Sequence, residues 1–261
     1  MTNSSPHFSQ DPEPEKAAGF PVCAAMDAWD LKPGIEAVAR YFGGSRYRAD
    51  IQTRERIRAA IEKACRMASP RMTVAIRPIL PPVLNETLTL AGGQSLPLPD
   101  GTADSPARFL ASAIGTLGRE LETECRHLAA KRHIYRSTLL DAVGTAMLDA
   151  MDTKIRARID AKARSMGLCS KARFAPGLNG YPMDHQQTLF QMARGHSIDV
   201  RINADFMMEP VKTISFFTLL GIPDKESSRP DKCRLCRLTH CQFRKAAPAE
   251  KQGDGSWPGK C

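Results

Sequence analysis

Residues 173–186 read Arg-Phe-Ala-Pro-Gly-Leu-Asn-Gly-Tyr-Pro-Met-Asp-His-Gln, and no other stretch says as much about the fold. The Pro176-Gly177 pair predicts a rigid bend, because proline fixes its own φ and glycine lets the backbone approach a ligand closely. A second turn is predicted at 179–180, where asparagine precedes glycine. Pro182 suits the first position of a helix. The stretch is therefore predicted to form two tight turns that lead into a helix.

Arg173 stands three residues before the bend. A guanidinium at that position could hold a ligand carboxylate through two parallel hydrogen bonds. The same pattern also occurs in ordinary surface turns, where the arginine is solvated. Local sequence alone leaves both interpretations open.

The stretch resembles two motifs of one family. Arg173-Phe-Ala-Pro-Gly177 resembles the Arg-Pro-Ala-Pro-Gly-Tyr loop with which the activation domain of cobalamin-dependent methionine synthase binds S-adenosylmethionine. The run 176–186 is similar to the Pro-Gly-Tyr-Gly-Asp-(aromatic)-Pro-Leu-Glu-Glu-Gln motif of free-standing activation-domain-like proteins, which accompany corrinoid methyltransferase systems.

Other segments agree with the family in order. Thr-Leu-Gly at 116–118 and Leu-Asp-Ala-Val-Gly at 140–144 resemble a strand end and a helix of the family. The runs 202–210 and 213–215 resemble its Leu-Thr-Glu-Ser-(x)-Met-(x)-Pro and Ser-Val-Ser segments. Two departures concern the ligand pocket, since the family's tyrosine after Pro-Gly is Leu178 and its glutamate is Ala204, with Asp205 adjacent.

The resemblance implies an α+β fold, a twisted antiparallel sheet flanked by helices, and a role in reactivating a corrinoid protein. It implies S-adenosylmethionine as a cofactor, a corrinoid on a partner protein, and methyl transfer to cob(I)alamin during reactivation. The partner would be a corrinoid-binding protein or methyltransferase, and the reductant an acidic flavodoxin or ferredoxin. The implied ligand-binding residues are Arg173, Ala175, Pro176, Gly177, Leu178 and Asp205.

Two other functions fit the same residues. One is an electron-transfer activator of a corrinoid protein that carries an iron–sulfur cluster. The other is a non-catalytic docking module that recognises a corrinoid protein after its own pocket has changed, for which Leu178 is the relevant residue. Binding of S-adenosylmethionine separates the docking module from the reactivating protein.

Composition restricts the class of protein. No apolar run approaches the roughly 20 residues that a membrane-spanning helix requires, and the N-terminus lacks the basic and apolar regions of a secretory signal. Cytoplasmic residence is expected. The formal charge of +9 favours an acidic partner. Nucleic acid is disfavoured because no aromatic residues are interleaved with the basic ones to stack on bases.

The chain divides into three predicted regions. Residues 1–30 read as a disordered tail, 31–225 as the α+β domain, and 226–261 as a cysteine-rich tail. Amphipathic helices are predicted at 49–67 and 137–166 from apolar residues at helical spacing. Strands are predicted at 72–80, 87–90, 197–203 and 211–220.

Four cysteines lie in the last 29 residues of the chain. Cys233 and Cys236 place two thiolates on one turn, which suits zinc or an iron–sulfur cluster. Cys241 could close around the same centre, with either His240 or Cys261 as the fourth ligand. Spacing does not distinguish zinc from a cluster, nor either from a tail that binds no metal.

Overall fold

The computed structural model describes residues 22–84, 87–99, 102, 107–223, 238 and 241–244. Seven strands form one antiparallel sheet that curls into a half-barrel, and two short strands form a separate hairpin. The strands are β1 Val22–Ala25, β2 Arg71–Leu84, β3 Thr87–Leu90, β4 Ser95–Pro97, β5 Ala107–Thr116, β6 Cys169–Phe174, β7 Arg201–Ile202, β8 Met208–Glu209 and β9 Thr213–Gly221.

The long strands run side by side in the order β4-β3-β2-β5-β9-β6, and β1 pairs with β2. At one end of the sheet Arg71 pairs with Thr116, and Thr116 pairs with Thr213. β6 forms the outer edge beyond β9, with Arg173 opposite Thr218. β5 is central and its residues 109–116 are all buried, as expected for a strand covered on both faces.

Helices cover the two faces of this sheet. Their bounds are α1 Ile35–Gly43, α2 Ile51–Met67, α3 Glu120–Ala130, α4 Ile134–Ser165 and α5 His185–Ala193. The 32-residue helix α4 buries Val143, Met147, Met151 and Ile155 at spacings of four residues, which places all four on the face toward the sheet. Asp50 caps α2 by accepting the Thr53 N–H at 2.7 Å.

Two hydrophobic cores result. In the larger core, the four helices α1, α2, α3 and α4 pack against the face of the sheet that carries Met72, Val74 and Phe216. The smaller joins α5 to the opposite face, which carries Ile114 and Phe217. Alternate residues of one strand therefore belong to different cores, as the period of two in a strand requires.

The predicted α+β architecture, an antiparallel sheet flanked by helices, is confirmed. The helices at 49–67 and 137–166 and the strand at 87–90 are present within a few residues of their expected bounds. The strand predicted at 197–203 is wrong for most of its length, because Gly195–Ile198 form a 3₁₀ turn and only β7 is extended.

The end of the predicted N-terminal tail is ordered, since β1 pairs with β2 and Leu31 is fully buried. Residues 1–21 lie outside the described part of the chain, as does most of the predicted cysteine-rich tail. Within the residues that are described, no helix combines the length and apolar character needed to cross a bilayer.

Candidate functional site

Arg173 lies at the end of edge strand β6, on the face of the sheet that α4 covers. Its side chain passes over the ring of Phe216 on β9, with the guanidinium carbon 4.0 Å from the ring centroid. Stacking of a guanidinium on an aromatic face is favourable and restricts where the cation points. Its side chain is 31% exposed, so it is neither buried nor free in solvent.

Asp152 on α4 holds this guanidinium. Nη2 of Arg173 donates to Oδ1 of Asp152 at 2.6 Å, and Nε of Arg156 lies 3.3 Å from Oδ2. The carboxylate side chain is only 7% exposed. Two arginines thus share one buried carboxylate, which leaves a net positive charge at this edge of the sheet.

The remaining donors of Arg173 are not used by the described residues. Its Nε is buried and has no hydrogen-bond partner among the described residues. The hydroxyl of Thr218, which lies opposite Arg173 on β9, is also buried without a partner among them. Burial lowers the pKa of the Arg173 guanidinium, and the charge of Asp152 opposes that shift. The group stays charged at neutral pH because arginine titrates far above it. Because the side chain is 31% exposed, the charged group can still interact with an anion.

The Pro-Gly bend follows Arg173 and is closed by its own hydrogen bonds. The Gly177 N–H donates to the Tyr181 carbonyl at 2.9 Å, and the Leu178 N–H donates to the Ala175 carbonyl at 3.1 Å. Gly177 has a φ of +77°, a left-handed conformation that favours glycine. Ala175 and Pro176 are buried, whereas Leu178 is 63% exposed. A ligand at the bend could therefore contact the Leu178 side chain, but it could not accept hydrogen bonds from the Gly177 and Leu178 N–H groups, which the bend itself uses.

Tyr181 and Asp184 fix the bend to the domain. The Tyr181 ring packs against Phe174 with centroids 4.8 Å apart, and its hydroxyl donates to the Pro97 carbonyl. Burial raises the pKa of this hydroxyl. Asp184 accepts the His185 N–H and caps α5, so the helix begins three residues after Pro182. An aspartate at the predicted start of a helix is expected to cap it, and Asp184 does so.

The other family-like segments meet at the neighbouring end of the sheet. The Thr213 hydroxyl donates to that of Thr116 at 2.9 Å, and the Lys212 ammonium pairs with Asp141 at 2.8 Å. A Cβ on Gly144 would lie 3.2 Å from the Lys212 side chain, so glycine there leaves room for the lysine.

The buried Gln186 links α5 to this end of the sheet. It donates to the hydroxyl of Ser215 at 3.0 Å and to the sulfur of Met208 at 3.3 Å. The structure thus brings the segments that carry the resemblance into contact with one another.

Asp205 lies in the exposed turn between β7 and β8. Its N–H donates to the side-chain oxygen of Asn203. Its carboxylate makes no ion pair with Arg173 among the residues that the structure describes. A role for Asp205 in ligand binding stays a prediction.

The cysteine cluster is described only in part. Cys233, Cys236 and Cys261 lie outside the described residues, as does His240. Cys241 is a half-buried thiol in a segment attached to α1, where Ser45 N–H donates to the Gln242 carbonyl at 2.7 Å and Phe243 packs against Tyr41. Within the described ranges, no three His, Cys, Asp or Glu side chains converge as a metal site would require.

Sequence reasoning missed Asp152 and Phe216 as partners of Arg173. One signal for Asp152 was present, because it precedes Arg156 by four residues on a predicted helix, and an acid four positions before a base is a stabilising pair. Its contact with Arg173 spans 21 residues of sequence and is made only by the tertiary fold.

The fold is similar to that of the MetH reactivation domain. The two structures superpose with a TM-score of 0.61 over 80% of each chain, at 13% sequence identity, and the solved domain is bound to AdoHcy. At that identity the similarity concerns the fold alone. No family model matches the chain, and no curated protein matches it either.

Proposed function

We propose that this protein binds S-adenosylmethionine beside Arg173 and acts as an accessory protein that reactivates a corrinoid protein or a methionine synthase-type methyltransferase. The observation that carries the proposal is the position and partial exposure of the Arg173 side chain. Its guanidinium is positioned by Asp152 and Phe216, its side chain stays 31% exposed, and it stands three residues before the Pro-Gly bend. The proposal is further supported by the fold, which resembles a domain solved with AdoHcy.

The residues around Arg173 fit an amino-acid carboxylate. A guanidinium has five donors, of which the described contacts use one, and its Nε is buried without a partner. A ligand carboxylate at the exposed part of the Arg173 side chain would complete the neutralisation of two arginines that share one aspartate. The Leu178 side chain and the turn at Gly177 would then contact the apolar part of the ligand, in place of the backbone donors that the bend already uses.

Bound S-adenosylmethionine supplies an electrophilic methyl group on a positively charged sulfur. The chain would bind and orient the ligand, because holding two reactants in the reactive geometry removes much of the entropic cost of bringing them together. Arg173 would hold the carboxylate and the bend would exclude water on one side. No residue is assigned a proton transfer, since methyl transfer to a metal requires none.

A titration of S-adenosylmethionine and AdoHcy by calorimetry tests the proposal. Loss of a charge-assisted contact costs roughly 1.5–3 kcal/mol, so Arg173→Ala should weaken binding by about ten- to a hundredfold. Arg156→Ala is the matched control, because it removes an arginine from the same carboxylate and sits on the helix rather than before the bend. Absence of binding by the parent protein, or an equal loss in both variants, would contradict the proposal.

The docking-module alternative has one observation in its favour. Leu178 presents an exposed apolar side chain where the resembling proteins have tyrosine. A corrinoid-binding partner could use that side chain whether or not S-adenosylmethionine binds. Association with a corrinoid protein in the absence of any S-adenosylmethionine binding would select this alternative.

For the C-terminal cysteines we propose a zinc or iron–sulfur site that includes Cys241. Attachment of the Gln242 segment to α1 would hold such a site against the domain. Metal analysis and visible absorption of protein purified without oxygen distinguish the two centres, since only a cluster absorbs in the visible. Metal-free protein with all thiols titratable would refute both.

A further inference from the structure

A cleft lies on the α5 face of the sheet, at the end where β2 begins and β5 stops. It has a volume of about 480 Å³, within the range of roughly 300–1,000 Å³ typical of small-molecule sites. Its floor is formed by buried residues, among them Ile198, Val200 and Thr116. Its rim carries three arginines and a histidine, which are Arg71, Arg119, Arg201 and His196.

The lining carries three arginines and two acids, so one positive charge is not balanced by a carboxylate. Arg71 is paired with Asp199, and the exposed Glu120 is the second acid of the lining. Neither Arg119 nor Arg201 forms an ion pair with any residue in the described part of the chain. Arg119 and Arg201 therefore keep their charge available in the same cleft, and an anion that enters between them is attracted by both.

The first turn of α3 adds backbone donors at the same place. Arg119 is the N-cap of this 11-residue helix and provides no side-chain cap, so the first N–H groups are not satisfied by it. Gly118 precedes it with a φ of +83° and lines the cleft. The helix dipole favours negative charge at such an end, and Glu120 and Glu122 in the first turn supply part of it.

This cleft is separate from the Arg173 site. Arg71 faces α5, since its neighbour Met72 belongs to the core on the α4 side, whereas Arg173 contacts α4. Arg71 on β2 and Arg173 on β6 are three strands apart in the sheet. Along the strand direction, Arg71 is level with Thr213 of β9 and Arg173 with Thr218, which is five residues further on. Standard strand spacings then place them roughly 20 Å from each other.

We propose that the cleft binds a small organic phosphate, whose phosphoryl group lies between Arg119 and Arg201 and whose organic part fills the rest of the cleft. Arginine favours phosphate because its planar donors match two oxygens at once. The volume of about 480 Å³ distinguishes this ligand from inorganic phosphate, which would leave most of the cleft unfilled. The inference does not depend on S-adenosylmethionine binding.

Phenyl phosphate is a suitable probe, since it joins a phosphate to an apolar ring and lacks an adenosine that could enter the other site. Saturable binding to one site is expected in calorimetric or NMR titrations, with weaker binding of inorganic phosphate. The double variant Arg119→Gln/Arg201→Gln should weaken binding roughly tenfold or more. Arg173→Ala should leave it unchanged.

The matched control is Arg58→Gln/Arg136→Gln, which removes the same net charge from exposed arginines on α2 and α4. If this control weakens binding as much as the cleft variant does, the effect is one of net charge and the proposal is wrong. It is also wrong if phenyl phosphate shows no saturation, or if a short oligonucleotide binds while phenyl phosphate fails to compete with it.

Discussion

Replacement of Asp152 by asparagine removes the charge that two arginines share while keeping the shape of the side chain. In the native protein its carboxylate lies 2.6 Å from Nη2 of Arg173 and 3.3 Å from Nε of Arg156. An amide presents one oxygen and one NH₂ group, so at least one guanidinium must face a donor. Asp152→Asn therefore leaves two positive charges without their counter-ion in a mostly buried position.

The size of the effect follows from burial. Breaking a fully buried ion pair costs about 3–5 kcal/mol. Here only the carboxylate is buried, because the side chains of Arg173 and Arg156 are 31% and 37% exposed and water can solvate part of their charge. We expect a loss of about 2 kcal/mol in the free energy of unfolding. For a chain of this length that corresponds to a fall in Tm of about 4–8 °C.

Circular dichroism during thermal and urea unfolding measures this loss. Glu55→Gln is the matched control, since it removes one acidic charge from an exposed site on α2 and should change stability by less than about 0.5 kcal/mol. An Asp152→Asn protein as stable as this control would mean that the carboxylate does not hold the arginines. Ligand binding should also weaken, because Arg173 would no longer be fixed over the ring.

Two further predictions concern the bend and an alkaline transition. Gly177→Ala should destabilise the protein by about 1–2 kcal/mol, because φ is +77° and the new Cβ would lie 2.9 Å from the Met183 sulfur; Gly34→Ala, with no atom within 4 Å, is the control in the same unfolding assay. Burial and a hydrogen bond to Asp149 raise the pKa of Tyr41 to about 12, so the folded state keeps a proton that the unfolded state releases near pH 10. Stability should then fall between pH about 10 and about 12, and less steeply in Tyr41→Phe; equal slopes in the two proteins would contradict the assignment.

Much of the helical framework could be predicted from the sequence. In α2 and α4 apolar residues recur every three or four positions over more than four turns, and such a pattern has few alternative interpretations. Asp50 and Asp184 are cap residues by type and position, and both cap their helices. These features are local, so a local pattern encodes them.

Strand β6 could not be predicted in the same way. Its sequence Cys-Ser-Lys-Ala-Arg-Phe alternates polar and apolar residues only over its last four positions, which is too short a run to identify a strand with any force. It becomes a strand because β9 offers an unpaired edge, against which Arg173 and Phe174 pair with Thr218 and Phe217. The strand at 197–203 failed for the converse reason, since Asp199 adopts a left-handed φ of 59° that ends any extended run.

The faces on which the two arginine sites lie are set by strand register. Side chains alternate along a strand, so a slip of one residue would move Arg173 from the α4 face to the α5 face. The end of β9 is held against such a slip by the Thr213–Thr116 hydroxyl contact and by the Lys212–Asp141 ion pair. Each contact joins segments far apart in sequence, since Thr213 and Thr116 are separated by 97 residues and Lys212 and Asp141 by 71. A cation at the end of a strand is therefore visible in the sequence, but the side of the sheet on which it can meet a ligand depends on these distant contacts.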